Sequence, residues 1–316
     1  MDIAIYSGQM IAGFVLLTLG AKWLVTGGST LALRVGISIT VVGLTVVAFG
    51  TSMPELTVNV ASALSGNTGI ALGNIVGSNI ANIALILGFT AMISPMTVHK
   101  EFLGRDFFWM IGSCLLLFFA MLDGSLNAVE GLVFVALGVA YTVWLIVVSR
   151  RQNAGSSDEL EGRHRSLLFN AGLIALGLVA LVVGGRLCVT SAVGFATLFG
   201  MSERVIGLTI VAVGTSMPEF AASLYAAIKG KSDMAIGNII GSNIFNILII
   251  MGLTAVIYPI DVVVNLQYFI DMLMMLGITL LLWPLMKTGM TIVRMEGALL
   301  FAIYVGYVTW LLLITK

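Results

Sequence analysis

Residues 43–55 read GLTVVAFGTSMPE, and residues 207–219 read GLTIVAVGTSMPE. The likeness continues past both stretches. Residues 73–83, GNIVGSNIANI, return at 237–247 as GNIIGSNIFNI. Residues 43–88 align without a gap onto 207–252 at a constant offset of 164, with 25 of 46 positions identical. Self-similarity on this scale marks an internal duplication. The same offset pairs Lys22 with Arg186.

The sequence around the repeats sets the solvent. Of the 316 residues 59% are hydrophobic and only 9% charged, with a mean hydropathy of +1.10. Soluble domains run near 25% charged, so most of this surface meets lipid. Apolar runs of bilayer-crossing length recur from end to end. They do not alternate polar and apolar residues, which excludes a barrel. Hydropathy predicts helices at 8–28, 38–64, 69–94, 106–122, 127–149, 167–190, 203–228, 234–258, 267–286 and 295–314. The polar segment from Ser149 to Ser166 separates a first half, 1–149, from a second, 167–316, leaving 150–166 as a linker. No basic stretch precedes the first apolar run, so that span is expected to be retained rather than cleaved. Cys114 and Cys188 lie far apart in apolar surroundings and read as small core residues.

Five helices per half is an odd number, so the two copies enter the membrane from opposite faces. The predicted fold is therefore an all-α integral membrane protein with ten transmembrane helices, arranged as two inverted five-helix repeats with helices 2, 3, 7 and 8 broken. Such repeats build many secondary transporters, with the site near the midplane at the repeat interface. With the N-terminus outside, twelve basic residues (Lys22, Arg34, Lys100, Arg105, Arg150, Arg151, Arg163, Arg165, Lys229, Lys231, Lys287 and Arg294) fall on the cytoplasmic side. Arg186, Arg204 and Lys316 remain outside. This bias places both termini outside and the linker in the cytoplasm.

Of fifteen acidic residues, only Glu55 and Glu219 read as deep inside apolar spans, and they are repeat mates. Placing a carboxylate there costs about 2.5–3.5 kcal/mol on insertion scales, which makes each a functional candidate. Pro54 lacks an amide hydrogen and pushes Met53 away from helical geometry, so each GTSMPE is expected to interrupt its helix. Free carbonyls are expected around 46–50 and 211–214, at the negative end of a helix dipole. Ser52 and Ser216 are placed to cap the restarting helix or to touch an ion. Asn74, Ser78 and Asn82, spaced by four, form one polar stripe, and Asn238, Ser242 and Asn246 repeat it. Glycines 73, 77, 237 and 241 permit close helix contact. The chemistry on offer is oxygen only, which suits calcium. Neither block holds His or Cys, which argues against zinc or copper. Manganese and other divalent ions stay open.

These paired blocks closely resemble the alpha repeats of the sodium/calcium exchanger branch of the calcium/cation antiporter superfamily, in its prokaryotic form. The resemblance covers nearly the whole chain. It implies an antiporter that exchanges Na⁺ for Ca²⁺ by alternating access, with the first and sixth helices sliding against the core. It implies ion coordination by Glu55 and Glu219 with Thr51, Ser52, Ser78, Asn82, Thr215, Ser216, Ser242 and Asn246, and by the carbonyls of Ala48 and Ala212. Na⁺ and Ca²⁺ are then substrates and lipid the surroundings, with no cofactor, no enzymatic activity, no nucleic acid and no obligatory protein partner. Some potassium-dependent relatives carry aspartate where Asn246 stands, so no potassium requirement is expected. The linker is too short for the calcium-sensing domain of the animal exchangers. A plasma (inner) membrane location follows.

Three rivals are weaker. A proton-coupled calcium exchanger could use a buried glutamate, but its relatives have different residues before that glutamate. An intramembrane hydrolase needs a base near its nucleophile. The two histidines, His99 and His164, sit in or beside loops, far from Ser78 and Ser242. A cation channel with an acidic ring would show no obligatory counter-transport.

Overall fold

The computed structural model describes residues 2–153, 166–199 and 212–314. Helix α1 (Asp2–Val35) stops at Gly36, whose φ of +72° is left-handed. Ser38 then caps α2 (Ile39–Thr51), accepting the Val41 amide at 3.2 Å. A bend of 43° separates α2 from α3 (Met53–Leu64). The first half continues with α4 (Thr68–Ile93), α5 (Phe102–Ala120) and α6 (Ala128–Asn153). The second half opens with α7 (Leu167–Leu198), capped by Ser166. One helical turn at Ala212–Gly214 precedes α8 (Met217–Ile228), followed by α9 (Ser232–Ile257), α10 (Leu266–Lys287) and α11 (Arg294–Ile314).

Among the described residues, eight helices are long and apolar enough to cross a membrane: α1, α4, α5, α6, α7, α9, α10 and α11. The bent pair α2–α3 makes a ninth. The early part of the seventh predicted span, 203–228, lies outside the described residues, and α8 is its later part. Most of the linker, 154–165, lies outside them too.

Two helices exceed their expected lengths. Hydropathy marks the bilayer's width, whereas a helix runs on until something stops it. The 34 residues of α1 span about 51 Å at 1.5 Å each, well over the ~30 Å hydrocarbon core, so α1 either tilts in the bilayer or runs beyond it. Lys22 and its mate Arg186 therefore stand inside α1 and α7, exposed.

Glycine contacts fix the relation between the halves. A Cβ on Gly13 would stand 2.9 Å from the Gly184 carbonyl, and one on Gly20 2.8 Å from that of Gly177. Residue numbers rise in α1 as they fall in α7, so the helices are antiparallel. Gly13 and Gly177 are repeat mates, as are Gly20 and Gly184. The duplicated units thus point in opposite directions. Gly88 against Gly297 (α4 on α11) and Gly252 against Gly131 (α9 on α6) repeat the symmetry. Lipid offers no hydrophobic drive between helices, so backbone contact of this kind supplies the packing.

Two small antiparallel ladders obey the same two-fold. Strand β1 (Met96–Thr97) pairs with β4 (Thr291–Ile292), and β2 (Ser125–Leu126) with β3 (Ile260–Asp261). The centre of the molecule belongs to α4 and α9, whose most apolar stretches are 72% and 89% buried, against 17% for α1 and 11% for α11. Both central helices carry a π-helical segment, 81–87 and 246–251, and this is the form their interruption takes. A π turn adds one residue to the helical circuit and is frequently found at functional sites.

Candidate cation site

The site begins at the two helix breaks. Pro54 has no amide hydrogen, so the Gly50 carbonyl loses its α-helical donor. The backbone leaves helical geometry at Ser52 (φ −82°, ψ 9°) and, in the second copy, at the turn Thr215–Ser216 (Ser216 φ −88°, ψ 10°). The break is tighter than a run of unwound backbone. The Ala48 carbonyl is not free: it accepts the Ser52 amide at 3.1 Å and the Thr51 hydroxyl at 3.3 Å. An ion could reach it only through remaining lone-pair space. Ala212 occupies the matching place in the turn Ala212–Gly214, and Val211 lies outside the described residues.

Ser52 and Ser216 do not cap the helices that follow them. Each reaches across the two-fold instead. Ser52 Oγ donates to Glu219 Oε1 at 2.8 Å, and Ser216 Oγ donates to Glu55 Oε1 at 3.0 Å. Each carboxylate thus reaches the break that precedes the other. Both carboxylates are 1% exposed.

The facing wall is built from α4 and α9. Asn74 Nδ2 donates to Asn59 Oδ1 at 2.6 Å and toward the Glu55 carbonyl at 3.4 Å. Asn238 Nδ2 does the same to Ser223 Oγ (2.9 Å) and the Glu219 carbonyl (3.4 Å), while its Oδ1 accepts from Thr51 (3.2 Å). The outer members of the two stripes therefore tie the breaks to the wall. Ser242 Oγ lies 3.5 Å from the Ala48 carbonyl. Ser78, Asn82 and Asn246 are all at most 2% exposed. Gly237 and Gly241 admit α2, since a Cβ on Gly241 would sit 2.5 Å from the Leu44 carbonyl. Gly73 and Gly77 have no such neighbour among the described residues.

One feature unites these side chains. Glu55 Oε2, Glu219 Oε2, Ser78 Oγ, Asn82 Oδ1 and Asn246 Oδ1 are buried with no hydrogen-bond partner among the described residues. All five are oxygens. Leaving a buried polar atom unpaired costs about 1–3 kcal/mol, more for a charged one. Hard cations take oxygen ligands of this kind. No three His, Cys, Asp or Glu side chains converge among the described residues.

The sequence family agrees with this chemistry. The model described as "Sodium/calcium exchanger protein" matches residues 5–147 and 169–313, which is most of the chain. The chain belongs to the sodium/calcium exchanger family. Among curated relatives of this exchanger, the sodium/calcium exchanger MaX1 of Methanosarcina acetivorans is 34% identical, over 94% of this chain and 96% of that one. The putative antiporter CaxA of Alkalimonas amylolytica is 38% identical over the same shares. A solved structure of the sodium-calcium exchanger NCX_Mj, soaked with Na⁺ and Sr²⁺, superposes with a TM-score of 0.84 at 31% identity, covering 97% of this chain and 98% of that one. The exchanger is thus a multi-pass membrane transporter, not an enzyme, and its family moves ions without a cofactor.

Four side chains of this neighbourhood do not belong to the two expected stripes: Asn59, Asn79, Ser223 and Asn243, each 0% exposed. Asn79 and Asn243 were marked only by their identity in both copies of the GSN triplet. A third buried carboxylate, Asp106, also departs from the expectation of two. It is 0% exposed but carries its own partners, Arg105 (2.7 and 3.0 Å) and Tyr141 (3.4 Å). The adjacent arginine is what lets it enter an apolar helix bundle.

Proposed function

We propose that the exchanger is a secondary antiporter that swaps Na⁺ for Ca²⁺ by alternating access, using one site shared by both ions and built around Glu55 and Glu219. The observation that carries this reading is the set of five unpaired, buried oxygens that includes one oxygen of each glutamate. Two ionised carboxylates balance one Ca²⁺. Several Na⁺ occupy the same oxygens when Ca²⁺ leaves. Thr51, Ser52, Thr215, Ser216, Ser78, Asn82, Ser242 and Asn246, with the carbonyls of Ala48 and Ala212, complete the proposed ligand set.

In this reading the chain comprises a five-helix half, 1–149, a cytoplasmic linker, 150–166, and an inverted second half, 167–316, for ten spans with both termini outside. Exchange requires no potassium. The membrane is the plasma (inner) membrane.

The test is uptake of labelled Ca²⁺ into vesicles loaded with purified protein, driven by a Na⁺ gradient at clamped pH. Ca²⁺ should enter only against Na⁺ of the opposite gradient. Uptake that follows a proton gradient alone would reject sodium coupling, and uptake without counter-transport would make the protein a channel. Glu55→Gln and Glu219→Gln each remove one charge from the pair and should reduce exchange by about 100-fold or more, the scale of roughly 3 kcal/mol. Wild-type exchange in both variants would sink the site assignment.

A further inference from the structure

Asn79 and Asn243 take no part in the proposed ligand set, yet both are 0% exposed at repeat-related positions. Their hydrogen bonds settle which way two other amides face. Asn79 presents Nδ2 to the backbone carbonyl of Asn243 at 3.4 Å and to Met275 Sδ at 3.8 Å. Asn243 presents Nδ2 to the carbonyl of Asn79 at 3.4 Å and to Met110 Sδ at 3.8 Å. Carbonyl oxygen and thioether sulfur only accept, so the edge turned toward them must be the NH₂ edge. The opposite edge of each amide is therefore its oxygen.

That oxygen meets an amide of the other repeat. Asn246 Nδ2 donates to Asn79 Oδ1 at 3.0 Å, and Asn82 Nδ2 donates to Asn243 Oδ1 at 3.0 Å. With their NH₂ groups so engaged, Asn82 and Asn246 keep their own oxygens on the far edge, buried and without a protein donor among the described residues. Four side chains thus form a closed set in which every orientation follows from two backbone carbonyls.

We infer that Asn79 and Asn243 are positioning residues of the cation site: they lock the amides of Asn246 and Asn82 with oxygen, not NH₂, turned toward the ion. The inference rests on the site proposed above. A carboxamide is nearly symmetric in shape but opposite in polarity at its two edges. Turned over, Asn246 would offer a cation two partial positive hydrogens in place of a lone pair. Each clamp acts on the opposite repeat, so the two halves set each other's ligand geometry. Partners that orient metal ligands in this way are typically worth about 10–100-fold in affinity.

A double-mutant cycle on Ca²⁺ binding, measured by calorimetry on purified protein in detergent, tests this. Asn79→Ala should weaken Ca²⁺ binding by about 10–100-fold in the wild-type background. It should weaken binding no further when Asn246→Ala is already present, since no amide is left to orient. Independent losses that multiply in Asn79→Ala/Asn246→Ala would overturn the inference, as would unchanged binding in Asn79→Ala. The pair Asn243→Ala and Asn82→Ala forms a second cycle with the same expectation, and it decides the matter if Asn79→Ala does not fold. Asn79→Ser, which keeps a hydroxyl acceptor, is the milder variant for either case. Retained Ca²⁺ binding in both Glu55→Gln and Glu219→Gln would instead reject the site itself, so the two failures are distinct.

Discussion

The three buried carboxylates among the described residues show how partner chemistry separates function from structure. Asp106 is matched by an arginine on the adjacent residue and by a tyrosine. Glu55 and Glu219 have no cation at all among the described residues; each has one oxygen held by a serine of the other repeat and one oxygen unpaired. Two expectations follow. Ser52→Ala and Ser216→Ala each remove a hydrogen bond to a charged group, worth roughly 1.5–3 kcal/mol, and should raise the KM for Ca²⁺ by about 10–100-fold. Asp106→Asn removes the charge that neutralises Arg105 and should lower the melting temperature in detergent while leaving the KM for Ca²⁺ unchanged. A thermal melt and Ca²⁺ uptake on the same preparations check both; a large KM change in Asp106→Asn would make that residue part of the site. At this scale the glutamates, the break serines and the Asn-Ser-Asn stripes were legible in the sequence, because polar atoms in an apolar span stand out. The direction of the serines was not. A serine before Met-Pro-Glu reads as a helix cap, and only the three-dimensional meeting of two breaks reveals a better acceptor across the two-fold. Asn79 and Asn243 were hidden for a related reason, since their purpose is to satisfy other side chains.

At the scale of helices, the sequence located nearly every span to within a few residues, since lipid demands long apolar runs and the turns between them are polar. It misjudged α1 and α7, whose helical backbone continues into less apolar ends. It foresaw a break at each Pro but not its modest size, because the α-helical bond to Ala48 survives. It could not foresee π segments at 81–87 and 246–251, which no residue propensity marks. The antiparallel contact between α1 and α7 gives the clearest prediction here. Cβ atoms added at Gly20 and Gly177 would stand 2.8 Å from the facing backbone, and a carbonyl cannot rotate away as a side chain can. Gly20→Val or Gly177→Val should force the helices apart, at a cost of about 1–3 kcal/mol as in overpacked cores. The melting temperature should fall, and exchange should slow if these helices move together during transport. Gly8, with nothing within 4 Å, is the control position, and Gly8→Ala should behave as wild type. Equal stability of the Gly20 and Gly8 variants would contradict the packing described.

For the whole molecule, the duplication and its inversion were both implied by a repeat offset and an odd helix count, and the reciprocal glycine contacts give them physical form. What the membrane does with that symmetric body depends on charge. The loops around 36–38, 94–101, 229–231 and 288–293 gather at one end, joined by the β1–β4 ladder, by His99 and Asp233 at 3.2 Å, and by Lys231 and Ser29 at 2.7 Å. Lys100, Lys229, Lys231 and Lys287 lie in or beside these loops. The opposite end, joined by the β2–β3 ladder, carries Asp123, Glu130 and Asp261. Basic flanks are retained on the cytoplasmic side, so the first end should face the cytoplasm. The native thiols help to test this, because Cys114 and Cys188 are buried and should react slowly with a bulky reagent. Ser156→Cys in the linker should react with a membrane-impermeant maleimide in inside-out vesicles and not in intact cells. Ser125→Cys, at the start of β2, should show the reverse. Labelling of Ser156→Cys in intact cells would turn the molecule over, and with it the assignment of which face the linker occupies.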